Sequence, residues 1–303
     1  AADKAQAWRE AILGKFPGAG FDIWPDEITD KADYDYAIVW KPPVGELKSF
    51  PNLKGILSLG AGVDGILVDT DLPDGVPVVR LVDRCLTEGM SEYVLYWVLH
   101  YHRRMGVYLD WTSQGTWKQM RQTDTRDKRV GFLGLGELGA DAAKKVAALG
   151  FDVAGWSRTE KAIDGITSYF GADQLTTFLN RTEILVVLLP LTDATRGIVN
   201  KDTLAALPKG ASIINAARGP HVVDDDLIAA LDSGHINAAT LDVFHVEPLP
   251  ANHPYWSHPK VTVTPHMASL TVPSSAADWM EENVKLIEAG KPPLNTVDAK
   301  KGY

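Results

Sequence analysis

Cysteine is nearly absent from this chain: Cys85 is the only one in 303 residues. A lone thiol excludes an intramolecular disulfide framework and a thiolate zinc site. It fits a reducing compartment, so a cytoplasmic setting is expected. Basic charge is scarce as well. With 30 Lys and Arg against 39 Asp and Glu, the formal net charge is −9. Nucleic-acid phosphates require a clustered basic excess, so no nucleic-acid partner is expected and any cationic site must be local. Long apolar runs are missing, and nothing approaches the roughly 20 residues of a membrane span. The opening AADKAQAWRE is charged and helical in character rather than signal-like. The histidines show no HExxH or other paired-ligand spacing. No metal is therefore expected, and His221, His235, His245, His253 and His258 read as surface or loop residues.

What is present is an ordinary globular composition, 45% hydrophobic and 23% charged, with a length that suits about two domains. Strands are expected at Phe21–Trp24, Tyr36–Trp40, Ile56–Leu59 and Val76–Val82. Their continuous apolar character suits a sheet covered on both faces. SEYVLYWVLHYHRRM, with Tyr93, Trp97 and Tyr101 at helical spacing, reads as a long helix that leaves the first domain. The polar, tryptophan-bearing stretch after it, Tyr108–Lys128, reads as a linker or an arm. A clearer β/α series follows, with strands at Arg129–Leu133, Phe151–Trp156, Ile184–Leu189, Ala211–Asn215, Ala238–Val243 and Val261–Thr264. This is the spacing of a parallel doubly wound sheet. A last helix, AADWMEENVKLIEAG, capped by Ser274 or Ser275 and closed at Gly290, returns to the first domain.

Gly134-Leu135-Gly136-Glu137-Leu138-Gly139 follows the apolar strand VGFL and opens the helical stretch ADAAKKVAAL. A GxGxxG alone is weak evidence. Placed between strand and helix, it marks a tight turn whose helix amides can hold a pyrophosphate; the plain alternative is a glycine-rich turn without ligand. The identity of the dinucleotide is read at the end of the second strand. There an NAD site usually offers Asp or Glu to the adenine ribose. This chain has Ser157, Arg158 and Thr159, with Lys161 nearby. A hydroxyl and a guanidinium suit a 2′-phosphate that a carboxylate would repel, so NADPH is expected over NADH. The alternative is that Arg158 is simply a solvated surface residue.

Three further segments, INAARGP around Arg218, LDVFHVEPLP around Glu247 and VTVTPHMAS around His266, each place a polar residue just after an expected strand. Ligands of open α/β sheets bind at those strand ends. In this order, together with GAGVD at Gly60–Asp64, GFLGLGELG, LLPLTDATRGIVN and HPYWSHP, they resemble the D-isomer-specific 2-hydroxyacid dehydrogenases over most of the chain. The WSR stretch and the ending VDAKKGY are most similar to the glyoxylate/hydroxypyruvate reductase A subgroup. The resemblance implies an α/β fold in which a Rossmann-type doubly wound parallel sheet is inserted into a second, flavodoxin-like α/β substrate domain. The substrate domain would comprise 1–98 plus 273–303. The dinucleotide-binding domain would span 99–272, with its arm around 106–126 and homodimers formed through the cofactor domains.

Family roles then carry over where residues match. His266 would protonate the carbonyl oxygen as hydride arrives, Glu247 would orient His266 and favour its charged form, and Arg218 would hold the substrate carboxylate. Ala61 and Gly62 would contact that carboxylate and Trp40 would wall the pocket. Leu138 would offer an amide to phosphate. Leu189, Pro190 and Thr192 would line the adenosine and ribose side, Ala216 and Arg218 would approach the nicotinamide, and Asp242 would accept from its carboxamide. The expected activity is NADPH-dependent reduction of small 2-keto acids, glyoxylate to glycolate and hydroxypyruvate to glycerate. Two other readings compete: a reductase of larger 2-keto acids, and a dinucleotide-sensing protein without turnover.

Overall fold

The computed structural model describes residues 2–298 and 302; Ala299, Lys300, Lys301 and Tyr303 of the VDAKKGY ending lie outside the described residues. In chain order the elements are α1 (Ala2–Lys15), β1 (Tyr36–Val39), β2 (Gly55–Ser58), α2 (Asp64–Leu67), β3 (Val78–Val79), α3 (Arg84–His102) and α4 (Met105–Ser113). Next come β4 (Arg129–Leu133), α5 (Glu137–Ala148), β5 (Asp152–Ser157), β6 (Thr167–Phe170), α6 (Gly171–Arg181) and β7 (Ile184–Val187). The chain ends with α7 (Lys201–Ala206), β8 (Ala211–Asn215), α8 (Asp224–Asp232), β9 (Ile236–Leu241), β10 (Val261–Val263) and α9 (Pro273–Glu288). Two compact units result: Ala1–Leu86 with Leu270–Tyr303, and Thr87–Ser269. The division falls earlier in α3 than the 98/99 boundary read from sequence, and at 269/270 rather than 272/273. Met90, Tyr93, Val94, Trp97 and Val98 pack into the second unit's core, which draws most of α3 with them.

The first unit is a parallel sheet in the order β1-β2-β3. Side chains of a strand alternate between faces, and here both faces are covered. Leu57 and Val79 pack with α1 and α9 through Ile12, Ala276, Trp279 and Met280, whereas Ile56 and Val78 pack with Leu47, Phe50, Val63 and Ile66. Phe21–Trp24, expected as a strand, is not one. The Ile23 amide bonds to the Glu27 carboxylate and the Glu27 amide to the Ile23 carbonyl, which closes a local turn. The Val76–Val82 run shrinks to two residues, because Pro77 has no amide hydrogen and the Arg80 and Leu81 amides bond to Asn295 and Gly60. Helix α9 is capped at Val272, with Pro273 in its first position. Proline's fixed φ starts the helix there and puts Ser274 and Ser275 inside it rather than at its cap.

The second unit carries a seven-stranded sheet in the order β10-β9-β8-β7-β4-β5-β6, and every strand pair is parallel. The reversal between β4 and β7 is the switch point of a doubly wound fold, outside whose carboxyl strand ends ligands bind. Ile184 and Val186 point into one core cluster, Leu185 and Val187 into the other, which is why β7 reads as an unbroken apolar run. Two elements escaped the sequence reading. Strand β6 is half-exposed. Helix α4, which overlaps the start of the segment read as a linker, has no buried residues, so no apolar stripe announces it.

Candidate active site

The glycine turn after β4 is built as a dinucleotide turn requires. Gly134 has φ 108°, and a Cβ there would lie 2.6 Å from the Leu188 carbonyl oxygen, so a side chain is excluded on both counts. At Gly139 a Cβ would lie 2.1 Å from the Gly134 carbonyl oxygen, which makes the third glycine the one that lets α5 pack against the strand. Gly136 differs: nothing lies within 4 Å of a Cβ built on it. It caps α5 without a side-chain hydrogen bond, so the backbone is open where a pyrophosphate would approach helix amides, including that of Leu138. The residues present thus fit a dinucleotide.

At the end of β5, Ser157 is buried while Arg158 and Thr159 are exposed. The Ser157 hydroxyl donates to the Thr159 carbonyl at 2.8 Å. The Ser157 hydroxyl, expected to meet a 2′-phosphate, here closes the turn that leads into Arg158 and Thr159. The loop after β7 is also internally tied. Thr195 Oγ donates to the Pro190 carbonyl at 2.7 Å and accepts from the Thr192 amide at 2.9 Å, fixing Leu189–Thr192 beside Gly134.

His266 and Glu247 meet as expected. Nδ1 of His266 lies 2.8 Å from Glu247 Oε2, and Glu247 Oε1 accepts from the Phe244 amide at 3.0 Å. Facing a carboxylate, Nδ1 carries a hydrogen, which leaves Nε2 as the nitrogen able to exchange a proton with a ligand. The ring sits on a left-handed residue, φ 51°. That backbone is held by Asp242, whose carbonyl accepts from the His266 amide at 2.8 Å. Asp242 is only 1% exposed. Its Oδ1 accepts from Thr264 Oγ at 2.6 Å and the Met267 amide at 2.9 Å, and its Oδ2 accepts from the Ala268 amide at 2.9 Å. The side chain expected to receive a carboxamide is thus engaged in fixing the histidine's turn. Tyr93 completes the chain, its hydroxyl 2.8 Å from Thr264 Oγ; burial pushes its phenol up, so the ring stays neutral.

Arg218 follows β8 and Ala216, and its Nη1 donates to the Ala217 carbonyl at 2.7 Å. Next to it, a Cβ on Gly219 would fall 2.0 Å from the Phe244 carbonyl carbon. Only glycine permits that approach, and it brings the Arg218 turn against the segment that carries Glu247. In the first unit, the Gly60–Asp64 loop is held by Leu81, whose amide donates to the Gly60 carbonyl at 3.2 Å. Trp40 lies over this loop, its ring 2.4 Å from where a Gly60 Cβ would sit. Ala61 and Gly62 are half-buried.

A family model described as D-isomer specific 2-hydroxyacid dehydrogenase, NAD binding domain, matches residues 95–268. The chain belongs to the D-isomer specific 2-hydroxyacid dehydrogenases. It is 44% identical to a glyoxylate/hydroxypyruvate reductase A of Yersinia enterocolitica, over 99% of this chain and 97% of that protein. It resembles a D-isomer specific 2-hydroxyacid dehydrogenase from Xanthobacter autotrophicus Py2 solved with NADPH and MES, with a TM-score of 0.95, 47% identity and coverage of 99% and 96% of the two chains. An NADPH-dependent glyoxylate/hydroxypyruvate reductase from Sinorhizobium meliloti, solved with NADP and sulfate, is similar at a TM-score of 0.93 and 40% identity, covering 98% and 96%.

Two side chains of this dehydrogenase were not singled out, or were misread, from sequence. Asn215, 1% exposed, clamps the turn before Arg218: Nδ2 donates to the Arg218 carbonyl at 3.0 Å and Oδ1 accepts from the Ala217 amide at 3.2 Å. An asparagine closing a buried strand is the signal that could have found it. His221, read as a surface or loop residue, is 0% exposed. Segment Gly197–Val199 covers it, with the Gly197 and Val199 amides bonded to the Pro220 and His221 carbonyls. Of the other histidines, His245 is exposed, whereas His235, His253 and His258 are half-buried. Among the described residues, no group of three His, Cys, Asp or Glu side chains is arranged to hold a metal ion.

Proposed function

We propose that this dehydrogenase reduces small 2-keto acids with NADPH, turning glyoxylate into glycolate and hydroxypyruvate into glycerate. The observation that carries the reading is the His266–Glu247 pair, joined at 2.8 Å and fixed from below by Asp242 in the unit that bears the dinucleotide turn. NADPH, when bound, supplies hydride to the carbonyl carbon. His266 delivers a proton from Nε2 to the carbonyl oxygen, and Glu247 keeps the ring oriented and favours its charged form as that proton is held. Arg218 grips the carboxylate with a planar fork that also polarises the neighbouring carbonyl. Ala61, Gly62 and Trp40 are assigned to substrate binding. Leu138, Leu189, Pro190, Thr192 and Ala216 are assigned to the cofactor. Asp242 is assigned to the nicotinamide carboxamide beside its hold on the histidine's turn. Steady NADPH oxidation on adding glyoxylate tests the reading. Tight NADPH binding without turnover would make the protein a dinucleotide sensor instead.

The preference for NADPH rests on Arg158 and Thr159. Replacing Arg158 by Glu places like charge against the 2′-phosphate, and it is expected to lower kcat/KM with NADPH about 10²-fold while NADH changes by less than about threefold. Equal losses with both cofactors would contradict the assignment.

We further assign the 106–126 arm to a homodimer contact, because Leu109 is 60% exposed and Trp117 is 96% exposed, apolar surface that a second copy would cover. Light scattering should report a dimer for the wild type and a monomer for a Leu109→Glu, Trp117→Glu variant; a monomeric wild type would contradict it. The single cysteine supports a cytoplasmic setting.

A further inference from the structure

His221 is sealed from solvent, yet none of the roles assigned above uses it. Its ring spans two carbonyls from different parts of the chain. Nδ1 is 3.1 Å from the oxygen of Arg218, and Nε2 is 3.3 Å from the oxygen of Pro190. The first carbonyl belongs to the residue assigned to the substrate carboxylate. The second belongs to the loop after β7, whose Leu188 carbonyl presses on Gly134 of the dinucleotide turn. Burying an imidazole costs free energy that an apolar side chain of similar size would not. Carbonyl oxygens only accept, so a ring that holds both does so as an imidazolium, each nitrogen donating, and a ring so placed is better explained as a tie than as packing. The surroundings are equally fixed: Asn215 also donates to the Arg218 carbonyl, and Thr195 to that of Pro190.

We propose that His221 is a positioning residue that couples substrate and cofactor binding, its buried imidazole tying the turn that bears Arg218 to the Pro190 loop that abuts the dinucleotide turn. The proposal rests on the functional reading above for the identity of the substrate. It has a geometric consequence. Counted from Cβ, an asparagine amide nitrogen reaches the place of Nδ1, whereas a glutamine amide nitrogen reaches the place of Nε2. Asparagine thus keeps the Arg218 tie and loses that to Pro190, and glutamine does the reverse.

The test is a pair of variants of the full chain, read as KM for glyoxylate and as the NADPH dissociation constant from quenching of protein fluorescence. His221→Gln is expected to raise KM for glyoxylate about tenfold with NADPH binding within about twofold, and His221→Asn to weaken NADPH binding about fivefold with KM for glyoxylate within about twofold. His235→Gln, at a half-buried ring bonded to the Leu204 carbonyl at 3.0 Å, should move neither constant. A ring that only packs would give no such split. Constants unchanged in both variants, or moved together in proportion to a lower Tm, would overturn the proposal. Should the asparagine variant not fold, Thr195→Val weakens the same loop without touching the ring, and unaltered NADPH binding there overturns it too. A wild type that binds NADPH but consumes none with glyoxylate would defeat the functional reading, while NADPH binding by His221→Asn would still decide the coupling.

Discussion

His266→Ala is expected to lower kcat with glyoxylate about 10³-fold, roughly 4 kcal/mol of barrier, while leaving the NADPH dissociation constant within about twofold. The split follows from where the ring is attached. Its Nδ1 is committed to Glu247 at 2.8 Å, so Nε2 is the nitrogen able to meet an acceptor, and on the proposed reading removing it takes away the proton donor without disturbing the glycine turn. Its backbone is held independently, by the Asp242 carbonyl and by the Met267 and Ala268 amides on the Asp242 carboxylate, so the truncated side chain should leave the loop in place. A proton donor acts in the transition state, so kcat falls and KM changes little. Single-turnover oxidation of bound NADPH separates the two quantities. Turnover within about tenfold of wild type would remove His266 from the chemistry.

Arg218→Ala is expected to lower kcat/KM for glyoxylate about 10⁴-fold, with a rise in KM as well as a fall in kcat. The guanidinium has two tasks in this reading: it holds the carboxylate in the ground state and polarises the carbonyl as charge develops on oxygen. Arg218→Lys retains the charge but not the fork, so it should recover only about tenfold of that loss. The backbone should tolerate either change, because the turn is held by Asn215 through the Ala217 amide and the Arg218 carbonyl rather than by the side chain. Initial rates across a range of glyoxylate concentrations check this. A lysine variant as active as wild type would show that charge alone is needed.

The dinucleotide unit was largely legible in the sequence for a physical reason. A parallel sheet covered on both faces writes its strands as apolar runs, and β4, β7 and β8 sit close to where those runs lie. The glycine turn was legible because steric demands at Gly134 and Gly139 leave no alternative residue. Elements that bury no face left no such mark, which is why α4 and the half-exposed β6 were missed. Phe21–Trp24 misled in the opposite sense: its apolar content suggested a strand, but the Glu27 carboxylate takes the Ile23 amide. At the site, residue types announced Arg218, Glu247 and His266, and the structure joins the last two. The partners of buried groups were not legible. Nothing in ARGPHVVDD says that His221 is covered by Gly197–Val199, and nothing in LDVF says that Asp242 receives three donors from the histidine's own loop. Such contacts link segments far apart in the chain, which local pattern does not record.

The most direct test of the central claim is the ratio of kcat/KM values measured with purified protein for NADPH and NADH against glyoxylate, hydroxypyruvate and phenylpyruvate. Arg158 beside a site without a ribose-binding carboxylate should give at least about a tenfold advantage to NADPH, and both small acids should outpace phenylpyruvate. Equal use of NADH, or a faster reaction with phenylpyruvate, would contradict it.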